Sequence, residues 1–395
     1  MIGPTRDTDG FARWTPAAFY ARLPPPFVIT MRILSLHSDA YGGTGGIAQY
    51  NRDLLDAFCR HPRVDQVVAL PRIVARPLEP MPETLVFETG GLGGRAPYAR
   101  ALARWAASTP AFDLVFCAHV NLLPLAWPVA RLHEAPIVLA VYGIDVWQPT
   151  PSRLVNVLVR ASDAIMSISQ ITLDRMDSWA PLDAKRTFVC PNAIDTMRFV
   201  PGPRPANLVE RYGLSGKKVL LTVARLHSLE RYKGVDETIE ILPRLRESHP
   251  SIRYLVVGDG PDRERLEQKA RELGVDGAVV FAGWVNESEK VEHYQLADAY
   301  VMPGRGEGFG FVYLEALACG IPVVASRLDG SREAVRQGML GELVDPTNPD
   351  DILRGILAAL EKPRGVVPAG LDYFEMPRFV ERYHQLIDTM VPEQK

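Results

Sequence analysis

Short apolar runs alternate with helical patterns along most of this chain, and no other feature of the sequence constrains the fold as strongly. The runs are rich in Val, Ile, Leu and Phe, and in order they read RILSLH, VDQVVAL, DLVFCA, PIVLAVY, AIMSIS, TFVC, KVLLTVA, RYLVVG, AVVFAG, AYVMP and IPVVAS. In the first half, helical spacing of apolar residues falls between them over 46–60, 97–108, 152–161 and 170–179. Such alternation predicts parallel sheets covered by helices on both faces. The predicted fold class is therefore α/β.

The alternation runs through two rounds, which a proline-rich stretch separates. Residues 201–205 read PGPRP, a composition that interrupts both helices and strands. The chain has 395 residues, more than one hydrophobic core normally organises. We therefore predict two doubly wound parallel-sheet domains facing each other across a cleft. Their predicted ranges are 31–200 and 206–374, and a C-terminal helix within 375–395 is expected to pack back on the first domain.

Residues 1–30 lack the periodicity of the rest of the chain and are expected to form a disordered tail. They contain three consecutive prolines, 24–26, and they lack the long apolar core of a secretory signal peptide. Asp7 and Asp9 form a D-x-D pattern, which turn chemistry explains better than a metal site does. The fold is expected to begin at Met31, directly before the first strand.

Composition excludes several classes of protein. Hydrophobic residues make up 47% and charged residues 23%, which is ordinary for a globular protein, and apolar stretches are too short for a transmembrane helix. A net charge of −3 without a clustered basic face argues against nucleic acid as a partner. The four cysteines are scattered, in neither a disulfide framework nor a zinc-ligand spacing. We therefore expect a cytoplasmic protein.

In the first domain, unusual residues follow the predicted strands at the edge where open parallel sheets bind ligands. Residues 42–46 read GGTGG and open a helix, where free backbone N–H groups can hold a phosphate, although a tight turn is the alternative. His119 follows DLVFCA, and a lone histidine there is more often structural than catalytic. Tyr142 and Asp145 follow the next strand and are expected in the same crevice, unless Asp145 only caps a helix.

In the second domain, two cations lie at equivalent strand and helix ends. Arg225 follows KVLLTVA, and Lys233 precedes a glycine at a helix start. Two positive charges near a helix N-terminus suit a diphosphate, because the helix dipole and both charges favour the anion. The alternative is that Arg225 and Lys233 are only solvated surface charges, which interact with the nearby Glu230 and Arg231. The nearby sequence GDGP lacks the third glycine of a dinucleotide fingerprint, since Arg263 replaces it, and is expected to be a close-approach loop.

Residues 304–320, GRGEGFGFVYLEALACG, place two glutamates eight positions apart. Glu307 lies among glycines, where the backbone can approach a ligand closely. Glu315 lies beside Phe311 on the edge of an apolar helical stripe, where a buried carboxylate needs a polar partner. The alternative for Glu315 is a partly exposed side chain that reaches water.

Together these residues resemble the E-x7-E pattern of retaining glycosyltransferases with the GT-B fold, glycosyltransferase family 4 (group 1). The resemblance runs from about residue 31 to 391, and its strongest segments are GGIAQYNRDLL, VARLHSLERYKGVDETIE, VVGDGP, AGWV and PGRGEGFGFVYLEALACGIPVVAS. It implies two Rossmann-like domains, with the acceptor on the N-terminal one and the nucleotide sugar on the C-terminal one.

The resemblance also implies roles for individual residues. Glu315 is similar to the glutamate that holds the nucleotide ribose hydroxyls, and Glu307 to the one that contacts the donor sugar. The implied catalytic set is His119, Arg225, Lys233 and Glu307. The implied donor-binding set adds Gly45, Gly46, Val285, Gly308, Phe309, Gly310 and Glu315, with Tyr142 and Asp145 on the acceptor side. Two departures stand out, because the family often has His-Gly at Tyr142-Gly143 and a shorter Arg-to-Lys gap.

The implied activity is transfer of a hexose from a UDP- or GDP-linked sugar to a glycan or lipid-linked acceptor, in polysaccharide or glycoconjugate biosynthesis. No metal and no cofactor is expected, since Arg225 and Lys233 neutralise the leaving diphosphate. Two alternatives remain: a nucleotide-sugar epimerase on the same scaffold, and a non-catalytic binding protein that kept the fold.

Residues 97–108, PYARALARWAAS, raise the question of a membrane. Tyr98, Leu102 and Trp105 share one helical face, and Arg100 and Arg104 lie on the other. This arrangement suits a helix lying on an anionic bilayer, at the inner face of the cell membrane. The alternative, which we favour, is a domain helix that packs its apolar face on the sheet.

Overall fold

A computed structural model describes residues 30–393 as two parallel sheets with helices on both faces, so the predicted α/β alternation is confirmed. The predicted tail, with Asp7 and Asp9, lies outside the described residues apart from residue 30. Each predicted strand run coincides with a strand. A helix at Leu123–Leu132 and a short strand at Leu85–Phe87 were not among the predicted elements.

The first sheet has seven strands in the order β3-β2-β1-β4-β5-β6-β7, and every pairing in it is parallel. Its strands are β1 (Met31–His37), β2 (Val64–Pro71), β3 (Leu85–Phe87), β4 (Leu114–Cys117), β5 (Ile137–Val141), β6 (Ala164–Ser167) and β7 (Thr187–Val189). The helices around it are α1 (Gly46–Cys59), α2 (Arg95–Ala106), α3 (Leu123–Leu132), α4 (Arg153–Ala161) and α5 (Gln170–Asp177). All seven residues of β1 are buried, because helices cover both faces of the sheet.

The second sheet has six parallel strands in the order β10-β9-β8-β11-β12-β13. Its strands are β8 (Lys218–Val223), β9 (Ile252–Val257), β10 (Val279–Gly283), β11 (Ala299–Val301), β12 (Val323–Ser326) and β13 (Glu342–Val344). Its helices are α6 (Ala206–Arg211), α7 (Val235–Ser248), α8 (Arg263–Glu272), α9 (Lys290–Leu296), α10 (Phe311–Ala318), α11 (Ser331–Ala334) and α12 (Pro349–Glu361). Short 3₁₀ segments occupy Thr89–Gly91, Val120–Leu122, Ala184–Arg186, Ser228–Lys233, Asp276–Ala278, Arg336–Gly338 and Leu371–Phe374.

The strand order determines where ligands can bind. It reverses between β1 and β4 in the first sheet and between β8 and β11 in the second. At such a switch point the loops leaving adjacent carboxyl ends diverge to opposite faces and leave a crevice between them. The two crevices hold the loops that sequence analysis selected.

The chain crosses between the domains twice, and the two crossing segments pair with each other. The amide of Ile194 donates to the carbonyl of Phe374 over 2.8 Å. After the second crossing, helix α13 (Met376–Met390) packs on α1, and the hydroxyls of Tyr50 and Tyr383 lie 2.7 Å apart. The last helix of the chain is therefore part of the core beside the first sheet.

Helix α2 buries the face that the membrane interpretation needed. Tyr98 and Leu102 are buried against the sheet, and the Tyr98 hydroxyl donates to the carbonyl of Leu70 over 3.1 Å. Trp105 packs on the same cluster and donates its indole N–H to Glu88. The alternative, packing on the sheet, is the one observed. Within residues 30–393, no helix is both long and apolar enough to cross a membrane.

Candidate functional site

The loops from the two sheets meet in the cleft without side chains between them. A Cβ placed on Gly308 would lie 2.1 Å from the carbonyl oxygen of Tyr142 and 3.4 Å from the Cα of Gly143. Only glycine allows the second-domain loop to approach the loop after β5 so closely. The two crevices therefore form one closed site at this point.

Lys233 and Glu307 form the charged centre of the site. The Lys233 ammonium donates to the Glu307 carboxylate over 3.1 Å, and each side chain is 19% exposed. Burial alone would lower the pKa of Lys233, but the charge and hydrogen bond of Glu307 outweigh it and raise that pKa. The lysine is thus held as a cation beside a glycine-rich loop, where an anionic group of a ligand has access to it.

The peptide of Glu307 is clamped by the segment that follows β12. The amide of Glu307 donates to Asp329 Oδ2 over 2.9 Å, and its carbonyl accepts the amide of Gly330 over 2.8 Å. Burial raises the pKa of Asp329 to about 6. The sequence analysis missed Asp329, because an aspartate followed by Gly-Ser looks like any turn.

Arg225 lies on the same side of the cleft, but it is paired with Glu230. The Glu230 hydrogen bond is the main cause that raises the pKa of Arg225, whose side chain is 70% exposed. The alternative that the sequence left open, pairing with Glu230, is thus observed in this state. The side chain has room to turn toward a ligand, since most of it lies in solvent.

Three helices start in the cleft at glycine N-caps. They are α1 after Gly45, α7 after Gly234 and α10 after Gly310. A glycine has no side chain to accept the first N–H groups of a helix, although at α7 the Glu237 carboxylate accepts its own amide. The positive ends of α1 and α10 lie next to each other in the cleft, which suits a phosphate. Gly46, the first residue of α1, faces the Phe311 ring of the other domain.

The glycine run around Glu307 is needed for packing as well as for ligand approach. A Cβ on Gly306 would lie 2.7 Å from the Tyr232 ring, and Gly310 has φ +92° at the N-cap of α10. Between them, Phe309 is 1% exposed and packs edge-on to Phe374. Phe309 can therefore offer a ligand only its backbone.

Glu315 is fully buried and already has two partners. It is 1% exposed, accepts the Tyr294 hydroxyl over 2.6 Å and pairs with Lys290 over 2.8 Å. The alternative in which the carboxylate reaches water is wrong. The sequence analysis missed both partners, because neither the lysine at the start of α9 nor the tyrosine within it carries a motif. The predicted contact with ribose hydroxyls stays a prediction.

Val285 follows β10 and is partly buried against the core. Its neighbour Trp284 is 61% exposed, an unusual place for a large aromatic ring. Glu287 lies close by and approaches Lys290 to 3.5 Å. Lys290 also pairs with the buried Glu315, so Glu287 is linked to that carboxylate through the lysine.

His119 lies after β4, partly buried. Burial, helped by the charge of Arg72, lowers the pKa of His119, so the imidazole is neutral at neutral pH. Its Nδ1 accepts the amide of Asn121 over 3.1 Å. The proton of the neutral ring is therefore assigned to Nε2, which can donate a hydrogen bond to an oxygen.

Sequence analysis expected Tyr142 and Asp145 in the cleft, but both side chains bond within the first domain. The Tyr142 hydroxyl donates to Asn51 over 2.8 Å inside the first domain, and its carbonyl faces Gly308. The Asp145 carboxylate accepts the Tyr142 amide over 3.2 Å, so it closes a turn. Burial raises the pKa of Asp145 to about 7. The tyrosine side chain turns inward, and the backbone of Tyr142 and Gly143 is covered by Gly308 of the second domain.

Within the described part of the chain, no group of three or more His, Cys, Asp or Glu is arranged to hold a metal ion. The charged side chains described above form the pairs Lys233–Glu307, Arg225–Glu230 and Lys290–Glu315.

Two family models match the chain, one over each domain. The model of "Glycosyltransferase Family 4" matches residues 44–198, and the model of "Glycosyl transferases group 1" matches residues 208–368. Together they cover both faces of the cleft.

Curated relatives carry related names. The "GDP-mannose-dependent alpha-(1-6)-phosphatidylinositol monomannoside mannosyltransferase" of Mycolicibacterium smegmatis is 37% identical over 262 residues, 63% of this chain and 67% of the relative. A "D-inositol 3-phosphate glycosyltransferase" of Geodermatophilus obscurus is 38% identical over 198 residues, 48% of this chain and 43% of the relative. The alignments thus span about two thirds of the first relative and under half of the second.

A solved structure supports the fold. The Anabaena protein HepE in complex with UDP and glucose superposes with a TM-score of 0.69 at 20% identity, over 91% of this chain and 99% of that one. At this identity the likeness shows the two-domain architecture alone.

Proposed function

The chain belongs to the group 1 glycosyl transferases, and we propose that it is a retaining enzyme that moves mannose from GDP-mannose to an inositol-containing, lipid-linked acceptor. The observation that carries the proposal is the Lys233–Glu307 pair, 3.1 Å apart beside the N-termini of α7 and α10. This arrangement suits a nucleoside-diphosphate sugar, because one end of the ligand is anionic and the other is rich in hydroxyls.

The donor nucleotide and sugar are proposed from the curated relatives. The M. smegmatis relative is named as GDP-mannose-dependent, and its alignment covers 63% of this chain. Glu315 would accept ribose hydroxyls, with Lys290 releasing part of the carboxylate, and Val285 would contact the base through its backbone. A UDP-linked hexose is the other donor that the same residues suit.

The proposed chemistry follows from charge. As the C1–O bond to the diphosphate breaks, negative charge grows on the phosphate and positive charge grows on the sugar ring. Lys233, Arg225 released from Glu230, and the first amides of α7 and α10 would stabilise the phosphate. One well-placed donor of this kind typically contributes about 3 kcal/mol, or roughly a hundredfold in rate. The His119 Nε2–H would hold an oxygen of the donor sugar or the acceptor.

Retention is proposed because the leaving phosphate can also serve as the base. The acceptor hydroxyl would attack C1 from the face that the diphosphate leaves, and its proton would pass to a phosphate oxygen. The products would be GDP and an α-mannoside, and no carboxylate nucleophile is required. We propose that no divalent metal is needed, since Lys233 and Arg225 supply the positive charge that a metal would otherwise bring.

The acceptor is proposed to be lipid-linked because the M. smegmatis relative is named for a phosphatidylinositol monomannoside. A cytoplasmic enzyme that works at the inner face of the membrane would meet both the nucleotide sugar and such a lipid. Since α2 buries Tyr98 and Leu102, any contact with anionic lipid would involve a surface other than the apolar face of that helix.

The proposal is tested first by calorimetric titration of GDP, UDP and ADP in the presence of EDTA. Binding of GDP alone would support the donor class and the metal-free site. Transfer from GDP-mannose to phosphatidylinositol or its monomannoside would then be followed, with the anomeric configuration of the product read by NMR. A β-linked product would overturn retention. Turnover of the donor sugar without any acceptor would indicate an epimerase, and binding of no nucleotide would favour a non-catalytic protein.

Replacing Lys233 with Met tests the centre of the site. The variant keeps the length of the side chain but removes the charge, so we expect kcat to fall about a hundredfold to a thousandfold. The matched control is Lys185→Met, at an exposed lysine of the first domain, which should keep full activity. Full activity of Lys233→Met would show that the diphosphate is neutralised elsewhere.

A further inference from the structure

The N-terminus of α5, in the first domain, is capped by a carboxylate of the second domain. Glu333 lies on α11, and its Oε2 accepts the amide of Gln170 over 2.7 Å while its Oε1 accepts the amide of Ile171 over 2.8 Å. The residue in the N-cap position, Ser169, bonds through its hydroxyl to the hydroxyl of Thr172 over 2.9 Å. Ser169 does not cap the helix with its own side chain. Both carboxylate oxygens of Glu333 therefore cap α5 from the second domain.

A second contact joins the same two elements. Arg175, on α5, donates to the carbonyl of Leu328 over 2.7 Å. Its guanidinium lies over the ring of Trp147 at 3.7 Å, which fixes the direction of the side chain. Two side chains, one from each domain, therefore reach across the same boundary in opposite directions.

The segment that makes these contacts also clamps the catalytic loop. Leu328 and Glu333 flank Asp329 and Gly330, which hold the amide and the carbonyl of Glu307. The clamp is rigid, because Asp329 Oδ1 also accepts the hydroxyl and amide of Ser331, at 2.6 Å and 3.0 Å. A movement of the first domain relative to α11 is thus transmitted to the Glu307 peptide within four residues of chain.

We propose that Glu333 is a positioning residue, which couples closure of the two domains to the placement of Glu307. When the domains close, the α5 amides and Arg175 engage the segment 328–333, and that segment sets the Glu307 loop against the donor. When they open, the cap is lost and the loop is free to release the product. The consequence for turnover rests on the proposed function, whereas the closure itself does not.

The expected effect follows from the cap. Removal of a helix cap shifts an equilibrium by about fivefold to tenfold, and here the equilibrium is that between the closed and open domains. We therefore expect Glu333→Ala to lower kcat about tenfold while the KM for the donor changes less, because Lys233 and Glu315 remain intact. Glu333→Gln keeps one acceptor oxygen for the two amides, so its kcat should lie between those of Glu333→Ala and the wild type.

The experiment uses the full chain, with hydrogen exchange at the first amides of α5 and solution scattering with and without GDP. In Glu333→Ala, the peptide containing Gln170 and Ile171 should lose protection, and the scattering radius with GDP should exceed that of the wild type. Glu272→Gln, an exposed glutamate of α8 bonded within its own helix by Gln268, is the matched control. Unchanged exchange, radius and kcat in Glu333→Ala would overturn the proposal.

A second variant covers the case in which Glu333→Ala does not fold. Arg175→Gln removes the opposite contact and leaves Glu333 in place, and it should raise the exchange of the same peptide. If the wild type shows no transfer but closes on GDP, and the two variants close less, the proposed activity fails and the coupling stands. If transfer occurs and both variants close as the wild type does, the coupling fails and the activity stands.

Discussion

Glu315 and Lys290 form an ion pair that solvent hardly reaches, with side chains 1% and 14% exposed. Burial would lower the pKa of Lys290, but the charges of Glu315 and Glu287 outweigh it and raise that pKa. Taking two charges out of water costs several kcal/mol for each ion, so such a pair persists only when its hydrogen bonds are complete. The Tyr294 hydroxyl completes them here. Each of the two buried charges therefore depends on the other.

Replacing Lys290 with Met leaves the Glu315 carboxylate buried beside Tyr294 alone. We expect the free energy of unfolding to fall by about 3–5 kcal/mol, because an uncompensated charge remains in the core. Urea denaturation of the full chain measures this. The control is Lys362→Met, which breaks a pair with Glu342 whose side chains are 50% and 30% exposed and should cost about 1 kcal/mol or less. Equal small losses would mean that Glu315 finds water when the lysine is gone.

Asp145 should make stability depend on pH. Burial raises its pKa to about 7, although backbone amides partly oppose the shift. An unfolded aspartate loses its proton near pH 3.9, so between about pH 4 and about pH 7 the folded state binds more protons. The free energy of unfolding therefore falls as pH rises through this window and is level above it. Asp145→Asn keeps an oxygen for the Tyr142 amide and removes the charge, so its profile should be flatter.

The measurement is urea denaturation across that pH range for the wild type and Asp145→Asn. Asp65→Asn, an exposed residue of β2, serves as the control and should keep the wild-type slope. The same slope in Asp145→Asn would mean that the carboxyl titrates normally. A loss of activity in Asp145→Asn without a loss of stability would restore the acceptor role that sequence analysis expected.

At the scale of single residues, sequence analysis finds motif residues and misses their partners. Glu307 and Glu315 were found because glycines and a helical stripe surround them. Lys290 and Asp329 were missed because each lies beyond the motif, 25 residues before Glu315 and 22 after Glu307 respectively. A contact between distant residues leaves no local pattern, so only the fold reveals which lysine or aspartate is the partner.

At the scale of elements, the site consists of helix starts and loops that approach to backbone contact. Gly45, Gly234 and Gly310 all begin helices in the cleft, and Gly308 lies against Tyr142. Sequence analysis predicted the strand and helix positions well, because the apolar period of each is local. It did not predict the direction of the Tyr142 side chain, since that depends on Asn51 in helix α1, 91 residues earlier.

Gly308→Ala tests whether the closed approach belongs to the active state. The added Cβ would lie 2.1 Å from the Tyr142 carbonyl, so the domains could not meet as they do here. We expect kcat to fall about a hundredfold, because small misplacements at a reacting centre cost this much. Affinity for GDP should change little, since Lys233 and Glu315 lie in one domain.

Steady-state kinetics and calorimetry with GDP measure the two parts of this prediction. The control is Gly277→Ala, where a Cβ would have nothing within 4 Å among the described residues. If Gly308→Ala turns over at the wild-type rate, then the backbone approach seen here is not needed for transfer.

At the scale of the whole molecule, the two domains are not independent units. One buried cluster runs from Ile33 in β1 through Phe199 at the crossing and Tyr383 in α13 to Tyr300 in β11. The sequence predicts the number of domains, because that number follows from the chain length and from the proline-rich interruption at 201–205. The packing of α13 on α1 joins residues more than 300 positions apart, and an amphipathic helix does not encode which partner it covers.

Tyr383→Ala tests which domain α13 stabilises. Tyr383 is fully buried, lies 2.7 Å from the Tyr50 hydroxyl and packs on Phe58. Removing its ring should cost about 3–5 kcal/mol, and the loss should fall on the first domain. In calorimetry we expect the first domain to unfold separately and earlier. GDP should raise only the later transition, because Lys233 and Glu315, which we propose to bind the donor, lie in the second domain.

The matched control is Arg378→Ala, on the same helix but exposed, where the side chain pairs with Glu381 one turn along at 2.9 Å. It should change the free energy of unfolding by no more than about 0.5 kcal/mol. If Tyr383→Ala instead lowers the transition that GDP raises, then α13 stabilises the second domain. In that case the contact with Tyr50 would add little to the stability of the first domain.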